Sequence, residues 1–146
     1  CIFTEALTPL MPKVWHNVIT YTGFGYTQEV QLTRLASPTM KLSLKSLWQG
    51  GGTPTGEAIG AALLLLKRRN EHRKMIIHFT DGAPDSMEAV KQALELCRKN
   101  NVDVLAISVG IKQQDLYGEG KVEVIRDESE LPNAMTKMMK KIYNRR

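Results

Sequence analysis

Two loops contain the residues whose types and spacing could bind a ligand. Residues 50–56 read Gly-Gly-Gly-Thr-Pro-Thr-Gly, and residues 80–84 read Thr-Asp-Gly-Ala-Pro. Glycines let the backbone approach a ligand closely, but the first loop lacks the lysine of a phosphate-binding loop, and Glu57 would repel phosphate. In the second loop, Asp81 either anchors the turn or binds a metal, because an unpaired buried carboxylate is costly. Nucleotide binding is therefore not favoured.

The elements around these loops alternate between helices and apolar strands. Apolar spacing predicts helices over residues 3–10, 55–69, 85–100 and 131–142, and strands over residues 14–21, 27–35, 75–79, 102–109 and 121–125. The continuous apolar runs at 75–79 and 102–109 are typical of strands buried on both faces. This order predicts an α/β fold with a mainly parallel sheet between helical layers. Ligands of such folds bind at the carboxyl ends of the strands, where the second loop lies.

Local signals predict how the two helices beside the loops begin. Pro54 suits a first helical position, which makes Thr53 the predicted N-cap of the helix over 55–69. Asp85 with Glu88 three residues later predicts a capping box for the helix over 85–100. In the intervening strand, His78 is expected to be a hydrogen-bonded core side chain.

Composition limits the class of protein. The chain has 146 residues, of which 42% are hydrophobic and 24% charged, which predicts one soluble globular domain without a membrane span. Two cysteines cannot build a disulfide framework, Cys97 is expected to be a buried free thiol, and the methionines are expected to fill core gaps. A reducing, cytoplasmic setting fits this pattern best. The three histidines lack the spacing of a zinc site.

The formal net charge of +5 comes from local basic clusters at residues 67–74 and 137–146. Such clusters could meet nucleic acid or an acidic partner. Basic residues also collect at helix C-termini because the helix dipole favours them there. Without interleaved aromatic residues or a nucleic-acid motif, the sequence does not favour nucleic acid as a partner.

Together, the two loops resemble the metal-ion-dependent adhesion site of von Willebrand factor A-type (VWA) domains. Gly52–Thr53–Pro54–Thr55–Gly56 matches the family's Gly-x-Thr-x-Thr-Gly-like loop, and Thr80–Asp81–Gly82 matches its Thr-Asp-Gly turn. The resemblance implies a three-layer Rossmann-like fold with one antiparallel edge strand. The turn at residues 80–84 and the helix entrance Leu131–Pro132 look most like the VWA domain of CobT-type cobalt chelatase subunits, including those of phages.

One family motif is missing. No Asp-x-Ser-x-Ser occurs in the sequence, and no apolar strand precedes the helix predicted over residues 3–10. That strand would be the central one of the family's sheet. Because the chain begins with Cys1, we expect residues 1–146 to be a single VWA-like domain that is truncated at its N-terminus. A segment supplied in trans is the alternative.

The resemblance implies a protein-interaction module that is not an enzyme. Family sites hold Mg²⁺ or Mn²⁺ with one position open for an acidic residue of a partner protein. Thr53 and Asp81 would be the metal ligands in this chain. The loop residues around them would be Gly52, Thr55, Gly56, Thr80 and Gly82. In cobalt chelatases, which act in cobalamin biosynthesis, the partners are an AAA+ ATPase and a metal-inserting subunit.

Two other function classes stay open. A degenerate VWA domain could act in assembly without metal, through its helical or basic surfaces. A metal-dependent hydrolase could instead use Asp81 and Asp85, four residues apart and close to His78. The sequence alone favours the metal-dependent interaction module.

Overall fold

The computed structural model describes residues 18–24, 27–36, 53–80, 82–110 and 114–144. The chain divides into two compact units, Cys1–Thr53 and Pro54–Arg146. The helix predicted over residues 3–10 and all of residues 37–52 lie outside the described residues.

The first unit contains an antiparallel hairpin. Its strands are β1 (Val18–Phe24) and β2 (Thr27–Ala36), and Tyr21 pairs with Leu32 near the centre. The strand predicted over 27–35 is confirmed. Of the strand predicted over residues 14–21, residues 18–21 are confirmed, and β1 continues beyond them through Gly23 to Phe24. A register shift between these two residues accommodates the glycine inside the strand, as is typical of a β-bulge.

The second unit is a parallel three-stranded sheet with helices, which confirms the predicted α/β class. The strands lie in the order β3 (Lys74–Thr80), β4 (Val102–Val109), β5 (Val122–Ile125). The helices are α1 (Thr55–Lys67), α2 (Met87–Lys99), α3 (Gln114–Tyr117) and α4 (Leu131–Tyr143), with a 3₁₀ turn at Glu128–Glu130. The four-residue α3 and the 3₁₀ turn were not predicted, because neither is long enough for an apolar period.

Strand β4 separates two helical layers. Its side chains alternate between faces, so Val104 joins a core cluster with residues of α1, α2 and α3, whereas Leu105 packs with Met138 of α4. Met135, Met138 and Met139 are buried, which confirms the prediction for these three methionines, whereas Met87 on α2 is 50% exposed. Cys97 is a buried free thiol, as predicted, and burial raises the pKa of that thiol. Within the described ranges, no helix is long and apolar enough to cross a membrane.

Strand β3 is less enclosed than its apolar sequence predicts. Only His78 and Thr80 are buried, whereas Met75, Ile76 and Ile77 are partly exposed. The prediction of a strand buried on both faces is therefore wrong for β3 and correct for β4, in which five successive residues are buried. A continuous apolar run does not by itself show that a strand is buried on both faces.

Both predicted N-caps are wrong by one residue. Ser86, not Asp85, is the N-cap of α2, and its hydroxyl accepts a 3.1 Å hydrogen bond from the Ala89 amide. Helix α1 begins at Thr55, and Pro54 occupies the cap position with ψ 66°, which is not a helical value. The Pro54 carbonyl still accepts a 3.1 Å hydrogen bond from the Ala58 amide, so the first turn of α1 closes without a side-chain cap.

Helices α1 and α2 meet at a glycine. A Cβ atom on Gly56 would lie 2.5 Å from the Ala89 carbonyl carbon and 2.7 Å from the Ala89 Cβ, whereas a Cβ on Gly60 would meet nothing within 4 Å. Only a residue without a side chain therefore fits at position 56. The first turns of the two helices are held in direct backbone contact.

The amino-terminal edge of the parallel sheet is basic. Both α1 and α2 end there, because each leads through a short connection into the start of a parallel strand. The exposed cations at this edge include Lys67, Arg68, Arg73, Arg98 and Lys99. Arg98 forms a 2.7 Å ion pair with Glu95. This pair is exposed, and exposed pairs contribute little to stability.

The two glycines of α1 provide a matched test of this packing. Gly56→Ala should lower the free energy of unfolding by about 1–3 kcal/mol, because the new methyl group overpacks the contact with Ala89. Gly60→Ala should raise it by about 0.5–1 kcal/mol, because the added methyl group meets open space and alanine favours the helix. Urea unfolding of both variants measures the two changes. Equal effects of the same sign would contradict the close contact.

Candidate functional site

The turn after β3 is fixed by the side chain of Thr80. This residue is 5% exposed and lies at the carboxyl end of the strand, where its register partner on β4 is Ser108. The Thr80 hydroxyl donates a 3.0 Å hydrogen bond to the Gly82 carbonyl and accepts a 3.2 Å hydrogen bond from the Gly82 amide. Thr80 therefore shapes the turn at residues 80–82 and uses its hydroxyl in doing so.

The residues predicted for the metal site fall into different parts of the structure. Thr55 is 2% exposed at the start of α1, and Gly56 packs against Ala89. Thr53 is half-buried and belongs to the first unit, whereas Thr80 and Gly82 belong to the second. The other two, Gly52 and Asp81, lie outside the described residues. The convergence of Thr53 and Asp81 on one site stays a prediction.

Direct contacts connect the turn after β3 with the start of α1 at the carboxyl edge of the sheet. The turn after β3 leads into α2, whose first turn is capped by Ser86. The same turn of α2 presents Ala89 to Gly56, one residue after the buried Thr55. The start of α1 and the turn at residues 80–82 are thus held by one backbone contact and one helix cap.

An open cleft lies at the same edge, on the ends of β3 and β4. It has a volume of about 500 Å³ and is lined by Phe79, Val109 and the segment from Arg126 to Ser129. Asp127 stabilises this segment by accepting hydrogen bonds from the Ser129 amide, at 2.8 Å, and from the Ser129 hydroxyl. The Ser129 bonds hold the pKa of the Asp127 carboxyl below its usual value. Sequence reasoning missed the cleft, because its walls come from three strand ends far apart in sequence.

Ser108 is a second buried hydroxyl at this edge. It is completely buried on β4, and its Oγ has no hydrogen-bond partner among the described residues. Its register partners are Thr80 on β3 and Val124 on β5. An unpaired buried hydroxyl is uncommon and costs free energy. The Ser108 hydroxyl oxygen therefore lies at the same level of the sheet as Thr80, the residue that shapes the turn.

The carboxyl edge is also rich in acidic residues. Glu57 lies in the first turn of α1, and Glu88 lies in the first turn of α2. Asp127, Glu128 and Glu130 follow β5. Acidic side chains are favourable near helix N-termini, and here they give the edge a charge opposite to that of the basic amino-terminal edge. Among the described residues, no three His, Cys, Asp or Glu side chains form a cluster that could hold a metal ion.

A family model identifies the relatives of this chain. The model for the von Willebrand factor type A domain matches residues 11–140, a span that covers most of the chain and extends into both compact units. The chain belongs to the VWA family. No curated protein sequence matches it.

Solved structures share the fold of this VWA domain. Proximal thread matrix protein 1 from the mussel byssus has a TM-score of 0.68 and 20% identity, over 95% of this chain and 38% of that one. The SpRpn10 VWA domain has a TM-score of 0.63 and 18% identity, over 93% and 77%. Manganese-loaded TRAP of Plasmodium vivax has a TM-score of 0.58 and 14% identity, over 84% and 56%. The chain thus spans less than two thirds of the mussel and Plasmodium chains, and the likeness is one of fold.

His78 of the VWA domain is a core residue, as predicted. It is 6% exposed, and its Nδ1 shares a 2.7 Å hydrogen bond with the Tyr117 hydroxyl. The two rings are stacked with their centroids 6.0 Å apart. Desolvation lowers the pKa of His78 to about 4, so the ring is neutral near pH 7. A buried neutral histidine bonded to a core tyrosine is not placed to assist chemistry at the surface.

The pKa of His78 makes the stability of the VWA domain depend on pH. The unfolded chain takes up a proton on this histidine near pH 6.5, whereas the folded chain does so only near pH 4. The unfolded state therefore binds more protons between these values, and stability falls as the pH falls through this window. The full loss contributed by His78 is about 3 kcal/mol.

His78→Gln tests this dependence, because glutamine stays neutral and can still bond to Tyr117. The difference in unfolding free energy between wild type and variant should shift by about 2–3 kcal/mol between pH 7 and pH 4. Urea unfolding at several pH values measures the difference. A difference that does not change with pH would contradict the buried neutral ring.

Proposed function

We propose that this VWA domain is a protein-interaction module that binds its partner at the carboxyl edge of the parallel sheet. The observation that carries the proposal is the Thr80 side chain, which makes two hydrogen bonds to Gly82 at the end of β3. The cleft beside it offers about 500 Å³ for a partner side chain. Fixed loops on a rigid scaffold are where binding residues concentrate.

The proposed module depends on a divalent metal, Mg²⁺ or Mn²⁺, held by Thr53 and Asp81. A hydroxyl and a carboxylate are the hard oxygen ligands that these ions prefer, and the Plasmodium vivax TRAP structure with this fold is manganese-loaded. The Thr80 hydroxyl is bonded to Gly82 and is better suited to shaping the turn than to ligating. Gly52 and Gly82 would belong to the loops around the ion, and Thr55 and Gly56 form the first turn of α1. When bound, the ion would supply an electrophilic position for an acidic residue of the partner.

Two protein ligands make a weak site for an ion that prefers six oxygen ligands and releases water reluctantly. The Asp-x-Ser-x-Ser motif that would supply further hydroxyls is absent from the 146 residues. We therefore expect weak metal binding by this chain and tighter binding when an upstream segment with that motif is added.

Titration calorimetry with MgCl₂ and MnCl₂ tests the metal site. We expect a dissociation constant weaker than about 100 μM for this chain, since so few ligands are available. Asp81→Ala should abolish the binding, and Asp85→Ala is the matched control that should leave it unchanged. Micromolar or tighter binding that Asp81→Ala removes would contradict the incomplete site. Equal loss in both variants would favour the hydrolase alternative, in which the two carboxylates act as a pair.

Sensitivity of partner binding to EDTA separates the two interaction models. If the metal connects this chain to its partner, EDTA and Asp81→Ala should each weaken partner binding at least tenfold. This is a loss of about 1.4 kcal/mol in binding free energy. Capture that survives EDTA would instead support the degenerate domain that assembles without metal.

The finer proposal is that the partner belongs to a cobalt chelatase complex in the cytoplasm. It rests on the Thr80–Asp81–Gly82–Ala83–Pro84 turn and on the helix entrance Leu131–Pro132, which is the start of α4. Co-purification with an AAA+ ATPase and a metal-inserting subunit would support it. Binding of unrelated acidic partners alone would leave the interaction module and remove the chelatase role.

The hydrolase alternative is weakened by the position of His78. That residue is buried and bonded to Tyr117, so it is not available as a surface base. The alternative keeps only the two carboxylates, of which Asp85 is exposed at the start of α2. We propose a binding rather than a catalytic role on this ground.

A further inference from the structure

Helix α1 has an apolar side that the core does not cover. Its sequence, TGEAIGAALLLLK, is apolar nearly all round, and a helix of this kind is normally buried on all sides. Ile59 and Leu63 are buried in the core, but Leu64 is 64% exposed. No other large apolar residue in the described ranges is as exposed.

The outward side of α1 has an ordered pattern. Spacings of three and four residues place side chains on one helix face, and the residues of this face are Glu57, Gly60, Ala61, Leu64, Lys67 and Arg68. We call it the α1 outer face. It runs from an acidic residue through two small residues and a leucine to two exposed cations. The space beside Gly60 is open, since a Cβ there would meet nothing within 4 Å.

We propose that the α1 outer face binds the same face of a second copy of this chain, with the two helices antiparallel. In a two-fold interface, residue i contacts residue j and residue j contacts residue i. A two-fold axis that crosses this face at the level of Ala62 along the helix places Glu57 opposite Lys67 and Arg68. The same axis places Leu64 opposite the small residues at 60 and 61. The charge pairing and the leucine packing then each occur twice in the dimer.

Shape and charge both favour a second copy over an unrelated partner. Leu64 protrudes where Gly60 and Ala61 are small, so each leucine packs into the space on the other helix. The acidic residue and the two cations lie at opposite ends of the face, so only the antiparallel arrangement pairs opposite charges. A parallel arrangement would place like charges together, which is unfavourable.

The predicted dimer is weak. Thirteen residues of helix span about 20 Å, and a pair of such helices buries less than the roughly 1,200–2,000 Å² of a standard stable interface. The dissociation constant should therefore lie in the micromolar range or above. This inference does not depend on the proposed metal site.

Sedimentation equilibrium of the 146-residue chain over a range of concentrations tests the dimer. Wild-type protein should show a reversible monomer–dimer equilibrium, and Leu64→Ser should weaken it by about tenfold or more. The matched control is Met87→Ser, at an apolar residue that is 50% exposed on α2 and outside the α1 outer face. Circular dichroism verifies that each variant is folded. A wild-type chain that stays monomeric at millimolar concentration, or equal weakening by both variants, would overturn the proposal.

Charge reversal tests the antiparallel pairing directly. Glu57→Lys should weaken self-association because it places like charges opposite each other. The double variant Lys67→Glu/Arg68→Glu should do the same. An equimolar mixture of the two should form a heterodimer, since every opposed pair is then of opposite charge. If the mixture stays monomeric under conditions where the wild type dimerises, the antiparallel arrangement is wrong.

Discussion

The contact between Gly56 and Ala89 is the constraint on which the candidate site depends. There is no space for a Cβ atom at position 56, so the first turns of α1 and α2 approach to backbone distance. Ala89 also donates its amide to the Ser86 cap, so the same turn of α2 is fixed from both sides. The start of α1 and the turn after β3 consequently keep a constant separation. A glycine that resembles a flexible loop residue in the sequence is instead a packing residue.

The sequence predicted the elements well where periodicity is long and the signal is local. The span of β4 was correct to the residue, and α1, α2 and α4 were located to within two residues at each end. Errors arose where two local signals compete. Asp85 and Ser86 are both good N-caps, and only the path of the chain after the β3 turn decides that Ser86 takes the position.

The candidate site was only partly predictable. The threonine and aspartate motifs pointed to the edge at which β3 ends, and the structure adds that Thr80 uses its hydroxyl to close the turn. The cleft could not be predicted, because Phe79, Val109 and Arg126 become neighbours only when three parallel strands are aligned. Whether Thr53 and Asp81 converge depends on contacts between residues 28 positions apart in the sequence, which no local pattern encodes.

Two buried polar sites of this VWA domain differ in whether their hydrogen bonds are satisfied. His78 and Tyr117 satisfy each other inside an apolar cluster, so this pair fixes the position of α3 against the sheet through a directional bond. Ser108 one strand away has no such partner among the described residues. The first arrangement specifies structure at little net cost, whereas the second leaves an unmet hydrogen bond at the edge where ligands of this fold class bind.

The separation of charge between the two ends of the parallel sheet gives the second unit a permanent electric dipole along the strand direction. Acidic groups lie at the carboxyl ends of the strands, and Lys67, Arg68 and Lys99 lie at the amino ends. In the field of a charged macromolecule such a body experiences a torque before any contact forms, so diffusion would deliver it in a preferred orientation. Cations in solution would accumulate around the carboxyl ends of the strands. At physiological ionic strength, salt would screen both effects beyond a Debye length of about 8 Å.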